Sequence, residues 1–170
     1  PHYVARFTRP APAGPAAAGD DAIPPAPADV VQAALDAAAP GAAPIRTMDM
    51  PGPTGESNRL SLFPRGRILC LGPGTEAAAA QAAEARAAGA AAVTVAPGGD
   101  VAGRLDPGAL EWLRGVDAVA WWGTAEPGRA LRRALAARDG PLVPLVTERG
   151  GLAALVHERH LCIDTTASGG

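Results

Sequence analysis

The stretch RILCLGPGTEAAAAQAAEARAAGAAAVTVA, residues 67–96, reads as a strand, a turn, a helix and a second strand. Arg67-Ile68-Leu69-Cys70-Leu71 is a short unbroken apolar run, the pattern of a strand buried on both faces. Gly72-Pro73-Gly74 turns the chain, Thr75 is placed to cap a helix over 76–88, and Gly89 stops it. A second strand follows at 91–96. Farther on, Asp106-Pro107 is a cap followed by a first-turn proline, predicting a short helix through Arg114 that Gly115 ends. A third strand is expected at 116–122, a helix at 126–138, and a fourth strand at 142–146 after the breaker Gly140-Pro141. The order β-α-β-α-β-α-β, with tight connections, predicts a Rossmann-like α/β fold: a mostly parallel sheet with helices on both faces. Residues 151–159 are expected to form a last helix, with Leu152, Leu155 and Val156 on one side, before a strand at 161–165 that need not join the same sheet.

Upstream of this unit the character changes. Residues 10–53 are rich in Pro, Ala and Gly and read as a linker, because so few large apolar side chains cannot offset the entropy of ordering. Within it a helix is expected over 29–39, capped by Asp29, with Val30, Val31, Ala34 and Leu35 on one side and Pro40-Gly41 at its end. Residues 1–9, PHYVARFTR, carry near-alternating apolar side chains, a short strand that needs a partner from elsewhere. The chain opens at Pro1 rather than Met and stops on Gly169-Gly170, so it is expected to be a piece of a longer polypeptide.

Composition narrows the function classes. The chain has 170 residues, 48% of them hydrophobic, with a formal charge of −2, as expected of an ordinary soluble domain. All 15 basic residues are Arg, which rules out a Walker phosphate loop, a Schiff-base lysine and a lysine general base within these residues. A pI near 5.9 and 4% aromatic residues argue against nucleic acid as a partner, since neither a basic surface nor stacking platforms are supplied. The longest Ala-rich run, 77–92, is interrupted by Gln81, Glu84 and Arg86, so no transmembrane segment is expected. Cys70 and Cys162 lie far apart with no apolar leader before them, which points to a reducing, cytoplasmic setting.

Three constellations have both a chemical and a plain reading. Gly72-Pro73-Gly74 with Ala77 fits a relaxed dinucleotide fingerprint, yet Pro73 removes a donor. Val95-Ala96-Pro97 also stands where an acidic ribose ligand belongs, with Asp100 beyond it, so a plain strand-to-helix turn is preferred. His157, His160 and Cys162 have metal-like spacing without a fourth ligand, and a charged, solvated helix end is preferred. Cys70 between Leu69 and Leu71 reads as a small core residue, and Trp121-Trp122 as core packing with one indole on each side of the sheet.

Family resemblances extend this reading. Residues 120–151, including WWGTAEPGRALRRAL and LVTERGG, resemble the aldehyde dehydrogenase segment that runs from an aromatic-Thr-Gly-Ser turn to a Glu-Leu-Gly-Gly strand end. The position matching that family's general base is Glu148, but the Gly-Gln-x-Cys context of its nucleophile is absent, and Cys162 is too close and differently surrounded. PHYVARF at 1–7, GPTGESNRLSLFPRG at 52–66 and HLCIDTTASGG at 160–170 are similar to landmarks of the bacterial bifunctional proline utilization A family, long type. That resemblance implies a C-terminal aldehyde-dehydrogenase-superfamily-like domain inserted ahead of a conserved tail, without catalysis of its own. It divides the chain into a strand from the preceding aldehyde dehydrogenase module (1–9), the linker (10–53), a degenerate Rossmann-like domain (54–159) and a C-terminal motif strand (160–170).

By the same resemblance the parent enzyme oxidises proline with FAD and glutamate semialdehyde with NAD, whereas no catalytic, cofactor or metal residue is assigned to this segment. The implied partner is the aldehyde dehydrogenase module of the same chain, contacted through Cys162, Ile163, Asp164, Thr165, Thr166, Ala167, Ser168, Gly169 and Gly170. Their expected role is to support the aldehyde site and seal the path of the intermediate. Two alternatives stay open: a domain that retains NAD binding through Gly72, Gly74 and Thr124 with Glu148 as base, and a module for homo-oligomerisation.

Overall fold

A computed structural model describes residues 23–165. The strand expected at 1–9 and residues 166–170 of the interaction stretch lie outside the described residues.

The elements run α1 (Ala28–Ala37), β1 (Arg46–Met50), β2 (Glu56–Pro64), β3 (Arg67–Cys70), α2 (Gly74–Ala87), β4 (Ala91–Thr94) and a 3₁₀ turn (Pro107–Glu111). After these come β5 (Ala118–Ala120), α3 (Ala125–Ala136), β6 (Leu145–Val146), a second 3₁₀ turn (Leu152–Leu155) and β7 (Val156–Asp164). β4, β3, β5 and β6 form a parallel sheet in that order, with Ile68 opposite both Ala92 and Ala118. This is the Rossmann-like α/β arrangement expected from residues 67–146.

Ile68, Leu69 and Cys70 are fully buried because the sheet is covered on both faces. Leu69, Val93 and Val119 face one layer with Leu110 and Leu113, Leu131 and Leu135 of α3, and Val31 and Leu35 of α1. Ile68, Cys70, Ala118 and Ala120 face the other, where Ala82 and Ala85 of α2 pack. The alanine stripe of α2 lets that helix lie close to the strands.

The local signals hold better for element type than for boundaries. α2 starts at Gly74 with Pro73 in the N-cap position, so Thr75 is not the cap; its hydroxyl donates to the Pro97 carbonyl. Asp106 does cap its turn, accepting from the Gly108 N–H at 3.0 Å, though the turn is 3₁₀ and ends at Glu111.

Three corrections concern the ends of the described chain. First, the helix expected over 29–39 is present as α1, and it is docked rather than carried loosely in the stretch read as linker: Val31 and Leu35 are fully buried, and Gln32 closes a two-way clasp on the Arg114 backbone at 2.8 and 3.2 Å. Asp29 sits in the first turn of that helix, not at its cap, which is Pro27. Second, residues 46–50 of the same stretch form β1 because β2 lies alongside and takes their backbone hydrogen bonds. Third, the helix expected over 151–159 does not form. Only the 3₁₀ turn is present, and residues 156–164 form one strand that pairs with β2 along its whole length. The strand satisfies its backbone on β2, while Leu155 and Val156 at its root are buried against the α/β core.

β1, β2 and β7 thus make a second, antiparallel sheet in the order β1-β2-β7. It is rooted on the α/β core where Arg65 N–H donates to the Leu155 carbonyl at 2.9 Å and the Arg65 guanidinium to the Val156 carbonyl at 3.3 Å.

Candidate functional site

In a sheet of this order, the place for a ligand is the crevice beyond the C-terminal ends of β3 and β5, where the chain crosses to opposite sides of β3. The loop that would cradle a phosphate begins at Gly72, whose φ of +93° only glycine adopts without strain. Its N–H donates to Gln81 Oε1 at 3.0 Å, Gln81 Nε2 donates back to its carbonyl at 2.7 Å, and Trp122 N–H donates to the same carbonyl at 2.8 Å. Gln81 is only 2% exposed. Gln81 therefore fastens the tight turn at the first glycine to α2, whereas the place a dinucleotide fingerprint keeps for pyrophosphate is at Gly74 and the N-terminus of α2, where Pro73 in the cap position has no N–H to offer.

Asp100, the nearest acidic residue past β4, is likewise engaged: its carboxylate accepts from Thr94 N–H at 2.8 Å and Thr94 Oγ1 at 2.9 Å, closing the loop on itself. The cleft that remains, between Leu71, Gly74, Pro97, Arg104 and Trp121, has a volume of about 60 Å³, well short of the roughly 300–1,000 Å³ of small-molecule sites. Thr124 supplies its carbonyl to the Trp121 indole N–H at 3.1 Å. At the mouth, the exposed Glu126 carboxyl is held below the usual carboxylate range by a hydrogen bond and positive charge from Arg129.

The residues with nucleophile or base chemistry do not converge. Cys70 is enclosed in β3, and burial pushes its thiol up to about 12, so it carries no thiolate at neutral pH. Glu148 is exposed in the turn after β6. Beside it, Arg149 stacks over the Trp122 ring at 4.9 Å and Gly150 N–H donates to Glu84 at 3.0 Å. Trp121 is buried and Trp122 half-buried, in line with core packing. His157, His160 and Cys162 are all exposed on β7, and strand alternation puts His160 and Cys162 on one face and His157 on the other. The helix-end reading of these three falls with the helix.

What the structure does present is the antiparallel sheet. Leu155 and Thr165 both bond toward β2, with Thr165 N–H donating to the Gly55 carbonyl at 2.8 Å, so the odd-numbered residues between them carry the ladder. The backbone N–H and C=O groups of Glu158, His160 and Cys162 consequently point to the other edge of β7, which no described strand covers. Leu161 and Ile163 are 54% and 49% exposed, and Met50 and Ile45 belong to the same sheet region. Of the residues expected to make the interaction, Cys162, Ile163 and Asp164 lie in β7 and Thr165 follows it; Thr166, Ala167, Ser168, Gly169 and Gly170 lie outside the described residues.

One residue, Gln81, and one strand, residues 56–64, carry only weak local signals. Gln81 looked like an interruption of an alanine helix, although its spacing from the buried Ala78, Ala82 and Ala85 places it on their side. Residues 56–64 were not recognised as a strand, although Leu60, Leu62 and the buried Pro64 alternate with Arg59, Ser61 and Phe63.

Fold and crevice together define a Rossmann-like α/β domain whose first strand-to-helix turn is tied to its own helix by Gln81 and from which a three-stranded arm extends. No protein-family model matches the chain. It is 34% identical over 139 residues to the bifunctional protein PutA of Escherichia coli K12 and 34% identical over 137 residues to that of Klebsiella aerogenes. Each match takes in 71% of this chain and 10% of the relative, so the chain is homologous to a segment about a tenth as long as the relatives it matches. Among solved structures, one of proline utilization A with proline bound in remote sites superposes with a TM-score of 0.47 and 29% identity, over 62% of this chain and 14% of that one. A crystal structure of bifunctional proline utilization A gives 0.45 and 28% over the same shares.

Proposed function

We propose that this chain is the C-terminal portion of a bifunctional proline-catabolic enzyme and that its α/β domain supports an aldehyde dehydrogenase site without catalysing a step itself. The parent converts proline to glutamate in the cytoplasm through pyrroline-5-carboxylate and glutamate semialdehyde, with FAD and NAD held by its other modules. The arm β1-β2-β7 carries the reading: an uncovered strand edge with exposed Leu161 and Ile163 beside it is a ready acceptor for an extended segment of the aldehyde dehydrogenase module. Docked there, the arm would hold the substrate loop in its reactive geometry and close the path of the intermediate. The similarity to the PutA proteins supplies the reaction class.

Deletion of residues 160–170 from the full-length parent tests this. Semialdehyde oxidation is expected to fall by about a hundredfold, the cost of misplacing reacting groups by an ångström or so, with proline oxidation retained. Full aldehyde activity in the deleted enzyme defeats the proposal, and dissociation of the assembly in light scattering without loss of activity favours the oligomerisation reading. A second measurement separates the NAD-binding alternative. Because Pro73 supplies no donor at the start of α2 and Asp100 is held by Thr94, calorimetric titration of this chain with millimolar NAD is expected to give no binding heat. A saturable heat would restore that alternative.

A further inference from the structure

We propose that Thr165 is a positioning residue: by clamping onto the Gly55 carbonyl it sets the point and direction from which residues 166–170 leave the arm. This rests on the supporting role proposed above for the segment that follows β7.

The geometry at that point is more than the end of a ladder. Thr165 donates twice to one oxygen, through its backbone N–H at 2.8 Å and its Oγ1 at 2.7 Å. The hydroxyl bond is not needed for strand pairing, which the N–H alone would continue. Together the two donors use both lone pairs of the carbonyl, at a position where a strand end ordinarily frays.

The acceptor is itself held. Gly55 sits in the turn between β1 and β2 at φ +96°, and the next residue, Glu56, closes that turn by donating its N–H to the Pro53 carbonyl at 3.0 Å. A side chain at Gly55 would be strained in this conformation and would swing the carbonyl away.

The clamp also lies at the far end of a continuous support. β7 pairs with β2 from Val156 opposite Pro64 to Asp164 opposite Glu56, and its root is fixed to the core through Arg65. At about 3.4 Å per residue, the nine residues of β7 carry the clamp about 30 Å from that root. Thr165 therefore stands at the tip of the arm and not at its root on the α/β domain. Small errors in exit direction at such a tip displace the segment, so a bond that fixes the last residue has leverage on where it lands.

The test uses the full-length enzyme in four forms: Thr165→Val, Thr165→Ser, Gly55→Ala and a deletion of residues 166–170. Thr165→Val keeps the shape and the backbone bond and removes only the hydroxyl donor. It is expected to lower kcat/KM for aldehyde oxidation about fivefold, the population shift one hydrogen bond supplies, while proline oxidation and the melting temperature stay at the parent's values. Thr165→Ser, which restores the donor, is expected to return to within twofold of the parent. Gly55→Ala is expected to reproduce the Thr165→Val defect with Thr165 intact.

If the deletion cripples aldehyde oxidation and Thr165→Val does not, the segment matters but the clamp does not position it, and this inference alone fails. Equal defects in the Val and Ser variants overturn it as well, because the effect then does not follow the hydrogen bond. A deletion with full aldehyde activity removes the supporting role proposed above and the clamp's function with it.

Discussion

Replacement of Gln81 by leucine is expected to destabilise the domain by about 2–4 kcal/mol, a large part of the roughly 5–15 kcal/mol that separates folded from unfolded domains. The exchange nearly conserves volume, so the loss is polar. Gly72 N–H, which now donates to Gln81 Oε1 at 3.0 Å, is left in a buried turn without an acceptor, the costlier kind of hydrogen-bond deletion. The Gly72 carbonyl loses Gln81 Nε2 but keeps Trp122 N–H at 2.8 Å, which bounds the effect. Chemical denaturation followed by tryptophan fluorescence reads it directly, since Trp121 and Trp122 adjoin the turn. A change below about 0.5 kcal/mol would mean that the turn finds another acceptor.

Gln81→Glu gives the same contact a pH dependence with a definite sign. The protonated carboxyl can accept from Gly72 N–H and donate to its carbonyl, whereas the carboxylate sets a buried charge against that carbonyl, so the folded-state pKa rises above the unfolded one. Stability is then fully present below the unfolded carboxyl pKa and lost as pH rises through the folded value. Denaturation of this variant at acid and neutral pH is expected to show it weaker at neutral pH, relative to the parent chain at the same pH.

Truncation of Leu35 to alanine is expected to cost about 2–5 kcal/mol, the range for emptying a close-packed leucine site. Leu35 is fully buried among the residues that cover one side of the parallel sheet, one turn from the equally buried Val31. The contrast is built into the same helix: Val30 is 46% exposed, and Val30→Ala is expected to stay within about 0.5 kcal/mol. A helix tethered loosely in a linker would show no difference between the two. Equal melting temperatures for Leu35→Ala and Val30→Ala would therefore detach α1 from the core.

These expectations show where the amino-acid order was readable. Ile68-Leu69-Cys70 and Ala118-Val119-Ala120 are short contiguous apolar runs bounded by turn residues, and α2 lies between Pro73 and Gly89, so element types in the parallel unit followed from local pattern. Boundaries did not, because a strand ends where its neighbour ends. β6 is only Leu145–Val146, although the apolar run extends back to Leu142. The helix within the Pro-rich stretch was readable from Val30, Val31, Ala34 and Leu35, but its docking was not: composition averages over many residues, and two well-placed side chains, Val31 and Leu35, suffice to dock a helix when the core offers a matching surface.

The sequence by itself determined the α/β layer order, the turn at Gly72 and the absence of lysine-based chemistry, because each is a property of neighbouring residues or of composition. Only the tertiary structure decided the rest. β7 pairs with β2 across roughly a hundred residues of chain, and that pairing overrides a helical spacing at Leu152, Leu155 and Val156 which is real in the sequence. Its register, not any residue's identity, turns the backbone of Glu158, His160 and Cys162 to the open edge and brings Thr165 to Gly55. Likewise Gln81 is polar and interrupts an apolar run in the sequence, yet the packing of α2 against the sheet carries it to the two backbone groups of Gly72, which the turn leaves buried. Hydrogen bonds between segments far apart in the chain have no local signature, and it is such bonds that shaped both the crevice and the arm.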